Sequence, residues 1–110
     1  MKELNKYREQ ISKLCGENNV RMLLAFGSVV NDTLDEDSDI DLYVVTKDEF
    51  IPQSFKERMD ITLKVSEVIR DLRGRIAIDL IVHTKKMADK FKELNSSFAR
   101  ELFSRGRVLL

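Results

Sequence analysis

The sequence predicts an α/β (α+β) fold, a small mixed β-sheet with helices packed against it. Two observations predict it. Three short runs rich in apolar and β-branched residues, Val20 to Phe26, Ile40 to Val45 and Arg75 to Val82, read as strands. Segments with apolar residues three and four positions apart lie before, between and after these runs and read as amphipathic helices.

The first helix carries Leu4, Tyr7, Ile11 and Leu14 on one face, and Gly16 offers a left-handed stop. VRMLLAF follows as a nearly continuous buried strand, ended by Gly27-Ser28. A turn or short helix is expected over Val29 to Leu34, then an acidic stretch from Asp35 to Ser38. IDLYVV is the second strand. Past Pro52, the apolar positions Ile61, Val65, Val68, Ile69 and Leu72 describe a helix closed by Gly74. RIAIDLIV is the third strand. One last helix is expected to hold Met87, Phe91, Leu94, Phe98 and Leu102 on a single stripe, and Arg107 to Leu110 closes the chain as a short edge strand.

Composition narrows the function. With 110 residues the chain has room for one domain, residues 1–110, and a modest core. Hydrophobic residues at 43% exclude disorder, and charged residues at 35% interrupt any membrane span. Nineteen basic residues balance nineteen acidic ones, so no global field draws nucleic acid or anionic lipid. The basic groups Arg70, Arg73, Arg75, Lys85 and Lys86 are diluted by Asp71 and Asp79 and read as a solvated face. The single cysteine, Cys15, excludes a disulfide framework and a cysteine-rich metal cluster. MKELNKYREQ lacks an apolar core, so no secretory signal is expected and the cytoplasm is the expected location.

The chemistry concentrates between Leu23 and Val45, in LLAFGSVVNDTLDEDSDIDLYVV. Asp39 and Asp41 stand two apart on a strand, so both carboxylates point to one face, about 6.5–7 Å apart at Cα. Such a pair repels itself unless a hard divalent cation such as Mg²⁺ lies between, and that ion prefers a few carboxylates together with substrate phosphates. Ile40 and Leu42 point the other way, into the core. Asp79 interrupts an otherwise apolar strand, and a carboxylate buried there needs a partner. If its strand lies beside the second one, it joins Asp39 and Asp41 around one or two metal ions suited to phosphoryl-type transfer. A buried arginine such as Arg21 is the alternative partner. Gly27-Ser28, directly after a strand, offers backbone N–H groups and a hydroxyl to phosphate oxygens. Tyr43 shares the face of Asp39 and Asp41. His83, the only histidine, reads as a surface or capping residue, and Phe91, Phe98 and Phe103 as core.

Gly27-Ser28, then Ser38-Asp39-Ile40-Asp41-Leu42, then Asp79 in a later strand resemble the signature of the nucleotidyltransferase superfamily of the DNA-polymerase-β type. The short length points to its minimal nucleotidyltransferase (MNT) branch, and the chain's ending, SFARELF then GRVLL, is similar to that of many MNT sequences. The resemblance implies Mg²⁺-dependent transfer of a nucleoside monophosphate from ATP or another NTP to a hydroxyl. It makes Gly27 and Ser28 the phosphate-holding pair, Asp39 and Asp41 metal ligands, and Asp79 the third acid, which completes the metal site or activates the acceptor. It also implies a helical HEPN-type protein partner, a toxin to which the MNT protein is antitoxin and one of whose tyrosines is the acceptor; a homo-oligomer is compatible with the small size.

The chain departs from the family at Asn31 and Asp32, where a basic residue and a glycine are common. A cation there helps neutralise triphosphate, and an acid opposes it. This departure is the ground for a second expectation, a partner-binding module with weak or no catalysis. Adenylylation of a small molecule is a third, weakened because 110 residues leave no second domain to hold such a substrate.

Overall fold

The computed structural model of the protein describes residues 2–26, 40–74 and 77–109. Helix α1 (Lys2–Gly16) leads into β1 (Val20–Phe26), and β2 (Ile40–Thr46) follows. Helices α2 (Phe55–Val68) and α3 (Arg70–Arg73) carry the chain to β3 (Ile78–His83). Helices α4 (Lys85–Leu94) and α5 (Ser97–Arg105) precede the two-residue β4 (Arg107–Val108). The turn or short helix expected over Val29 to Leu34 lies outside the described residues.

The strands form one mixed sheet in the order β3-β2-β1-β4. β1 runs antiparallel to β2 and to β4, while β2 and β3 run parallel. Two parallel neighbours need a crossover, and α2 with α3 supplies it. Ser54 starts α2: its hydroxyl accepts the N–H of Glu57 at 3.1 Å, and the Glu57 carboxylate accepts the N–H of Gln53 at 2.6 Å. The first bond satisfies a donor that the helix start leaves open, and the second ties the residue before the cap to the first turn.

Strand alternation divides the core in two. Leu23, Ala25, Ile40, Leu42, Val44 and Ile78 face α1, α2 and α3, meeting Ile11, Cys15, Val65, Ile69 and Leu72. Leu24, Tyr43 and Val45 face the other way, against Ala88 and Phe91 of α4 and Leu102 and Phe103 of α5. Ile40 and Leu42 are fully buried, as their alternation with the acids predicts. Each such side chain contributes about 1.5–3 kcal/mol relative to exposure. Cys15 is buried among these groups, which pushes its thiol up to about 11.

Three expectations change. The last helix is two helices: Asn95 adopts φ 49°, and Ser96 caps α5 by accepting the Ala99 N–H at 3.1 Å. Both helices pack on one sheet face, so the apolar stripe runs through the break and hides it. Leu94, at the break, is 79% exposed and does not belong to the stripe's buried side. The second helix is likewise interrupted, at Ile69, between α2 and α3. The described part of the third strand begins at Ile78 and extends to His83. Turn residue Asn19, at φ 64°, follows α1, whose last residue is Gly16.

Gly106 joins α5 to β4 with its N–H on the Leu102 carbonyl at 2.8 Å. A Cβ there would run into that same carbonyl oxygen, which belongs to the helix backbone and cannot rotate away. Gly106→Ala is therefore expected to cost about 1–3 kcal/mol through overpacking, read as a lowered urea midpoint at unchanged m-value. A midpoint equal to that of the wild type would contradict the close fit.

Candidate functional site

Parallel pairing in register sets Asp41 opposite Asp79. Antiparallel pairing on the other side sets Phe26 opposite Asp41. Residues opposite one another in a sheet share a face, so Phe26, Asp41 and Asp79 form one row across three strands, with neighbouring strands about 4.8 Å apart. Asp41 is half-buried and Asp79 exposed. Two carboxylates in adjacent positions repel, and oxygen donors of this kind suit a hard divalent cation whose remaining positions are filled by water and phosphate. The donor set therefore fits two ligands of a Mg²⁺ site.

Of the residues that the sequence singles out, Asp41 and Asp79 are thus brought together. Asp39, Gly27 and Ser28 lie outside the described residues, as do Asn31 and Asp32. Among the described residues no group of three or more His, Cys, Asp and Glu side chains converges on a metal-sized site. The expected burial of Asp79 is corrected. β3 is the edge strand, its Ile78 and Leu80 turn toward the α2 side, and Asp79 is open to solvent on the other face. A solvated carboxylate requires no arginine. Arg21, exposed on β1, is separated from β3 by β2.

Behind the acid row the sheet becomes aromatic. The next row is Leu24, Tyr43 and Ile81, and Tyr43 is completely buried. Its hydroxyl shares a 2.7 Å hydrogen bond with His83 Nδ1. Its ring stacks on Phe91 at 5.8 Å between centroids and meets Phe103 edge-on at 5.7 Å. Burial pushes the Tyr43 phenol well above its usual range. Burial, and then the positive charge of Arg58, hold the His83 imidazolium below the ordinary histidine value. His83 is therefore a half-buried partner of a core tyrosine rather than the surface or capping residue that its position at a strand end predicts.

Two aromatic residues flank the acids without being singled out for that role by the sequence. Phe26 stands beside Asp41, and the Phe98 ring of α5 lies 5.8 Å from it, tilted by 59°. The sequence carries no local signal for Phe26 in this role, because only the register of β1 against β2 brings it level with Asp41. Phe98 is hidden within the apolar stripe of Phe91 and Leu102.

The sequence profile of the polymerase beta nucleotidyltransferase domain matches residues 9–110. The chain belongs to that family. No curated protein sequence matches it. Among the solved structures similar to this chain, two are toxin–antitoxin complexes. One is a toxin–antitoxin crystal structure with AMP-PNP, 20% identical, with a TM-score of 0.54 over 94% of this chain and 72% of that one. The other is a toxin–antitoxin MntA–HpeT complex bearing two aspartate-to-glutamate substitutions. It is 18% identical, with a TM-score of 0.51 over 94% of this chain and 71% of the other.

The Tyr43–His83 pair has a pH signature. A histidine whose folded pKa lies below the unfolded value of about 6.5 is neutral in the fold, so its stabilising contribution is complete above that pH. It falls as the pH drops below 6.5 toward the folded pKa, because only the unfolded chain takes up the proton. The melting temperature of the wild type should therefore decline between pH 7 and pH 5.5, and His83→Gln should flatten that decline. An unchanged slope in the variant would contradict a neutral, packed His83.

Proposed function

We propose that the protein is a Mg²⁺-dependent nucleotidyltransferase that moves AMP from ATP to a hydroxyl acceptor, a tyrosine of a helical HEPN-type toxin, and so acts as its antitoxin. The observation that carries the reading is the register of β2 and β3, which aligns Asp41 with Asp79 in a chain of this family. The likeness to toxin–antitoxin structures, one of them with AMP-PNP, supports the protein partner and the adenine nucleotide.

In this reading Asp39 and Asp41 hold the cation and Gly27 and Ser28 hold the β- and γ-phosphates. The bound cation supplies charge neutralisation at the α-phosphate and a fixed position for its oxygens. Asp79 takes the proton from the acceptor hydroxyl or helps to hold a second ion. The acceptor oxygen bonds to the α-phosphorus, the bond from that phosphorus to the bridging oxygen breaks, and pyrophosphate leaves with the electron pair. With Asp79 solvated at the sheet edge, a large acceptor on a partner protein can approach it. A second reading, a partner-binding module with little catalysis, is favoured by Asn31 and Asp32 where the family commonly has a basic residue and glycine.

Asp79→Asn separates the two. Removing one of two adjacent like charges leaves stability unchanged or raises it. Catalysis predicts that labelled AMP transfer from ATP to the partner falls by about a hundredfold or more while the melting temperature holds. A binding module predicts unchanged neutralisation of the partner, and full neutralisation by Asp79→Asn would overturn the catalytic reading.

A further inference from the structure

The row that carries the acids also carries an aromatic surface which the proposed chemistry leaves without a task. Phe26 is level with Asp41 on the neighbouring strand, about 4.8 Å away at the backbone. Phe98 lies over it, with ring centroids 5.8 Å apart, and also contacts Phe91 at 6.0 Å. The other members of this cluster are covered: Tyr43 is fully buried and Phe91 and Phe103 are half-buried. Phe98 is 45% exposed, although it is a large apolar ring held by two neighbours. The remaining exposed phenylalanines stand elsewhere. Phe55 borders a cleft of about 310 Å³ that includes His83, at the opposite end of β3 from Asp79 and about 13 Å along the strand. Phe50 lies in the connection after β2.

We infer that Phe98 is the platform on which the base of the nucleotide stacks. The inference rests on the nucleotidyltransferase reading and names the subsite of its substrate. In a nucleoside triphosphate only a ribose separates the base from the α-phosphate. A base attached to a phosphate at Asp41 and Asp79 must therefore lie within one sugar's length of the acid row. Phe98 packs on Phe26 of that row and, of the two rings, is the exposed one. Packing against Phe26 and Phe91 fixes the ring in advance, so little side-chain freedom is lost when a base covers it. Every base has a π-face, so such a platform binds nucleosides in general and favours the larger purines by area.

The test is calorimetry on the full chain with Mg²⁺, using AMP-PNP and inorganic tripolyphosphate as the two ligands. Phe98→Leu keeps an apolar side chain against Phe26 and Phe91 and removes the π-face; Phe98→Trp restores one. The inference expects Phe98→Leu to weaken AMP-PNP about tenfold while tripolyphosphate binds as it does to the wild type, and Phe98→Trp to bind AMP-PNP at least as tightly as the wild type. Equal weakening of both ligands, or AMP-PNP binding by Phe98→Leu at wild-type strength, overturns the platform and leaves the nucleotidyltransferase reading standing. Failure of the wild type to bind either ligand overturns that reading, and the platform with it.

Discussion

The parallel pairing of β2 with β3 is the constraint on which the rest depends. It places Ile40 beside Ile78 and Leu42 beside Leu80 on one face, and Asp41 beside Asp79 on the other. A slip of one residue would turn every side chain of the strand over, burying the carboxylate and exposing the isoleucine. The apolar face thus enforces the alignment of the acids: fully buried Ile40 and Leu42 are the anchors that hold two repelling carboxylates next to each other. The like-charge cost is carried by the core, and in the proposed function a bound cation would offset it.

Helices on both faces serve different ends. Those of the crossover side bury the continuous apolar run of β1 and β2. The C-terminal pair, α4 and α5, packs on the other face, where Tyr43 meets Phe91 and Phe103 and where Phe98 reaches Phe26 in the row of the acids. Within that row Phe26 and Asp41 are half-buried and Asp79 is exposed. β4 pairs with β1 through Leu24 and Ala25, and Leu109 donates to the Leu23 carbonyl at 2.8 Å. β4 is thereby one outer strand of the sheet, and β3, with exposed Asp79, is the other. Among the described residues no helix is long and apolar enough to cross a membrane.

Much of this was legible from local pattern. Alternation in IDLYVV separates core from acid face correctly, because period two is a property of the strand itself. The pairing of Asp41 with Asp79 is anticipated only conditionally, since adjacency of two strands is a long-range fact. The exposure of Asp79 is hidden for the same reason: IAIDLIV looks interior, and only the place of β3 at the edge of the sheet opens the carboxylate to solvent. His83 illustrates the reverse case, a strand-end polar residue whose buried partner, Tyr43, is forty positions away. The break at Asn95-Ser96 carried its own local signal, a left-handed asparagine followed by a capping serine, but the unbroken apolar stripe masked it.

The central claim is that the aligned acids of β2 and β3 form a cation site under the nucleotide. The most direct measurement is paramagnetic broadening of backbone amide signals by Mn²⁺ in the presence of AMP-PNP, since the effect falls steeply with distance from the ion. The account predicts broadening centred on Asp41 and Asp79 and fading along β3 toward His83, about 13 Å away. Broadening centred on Asp48 or another surface carboxylate, with Asp41 and Asp79 unaffected, would contradict it.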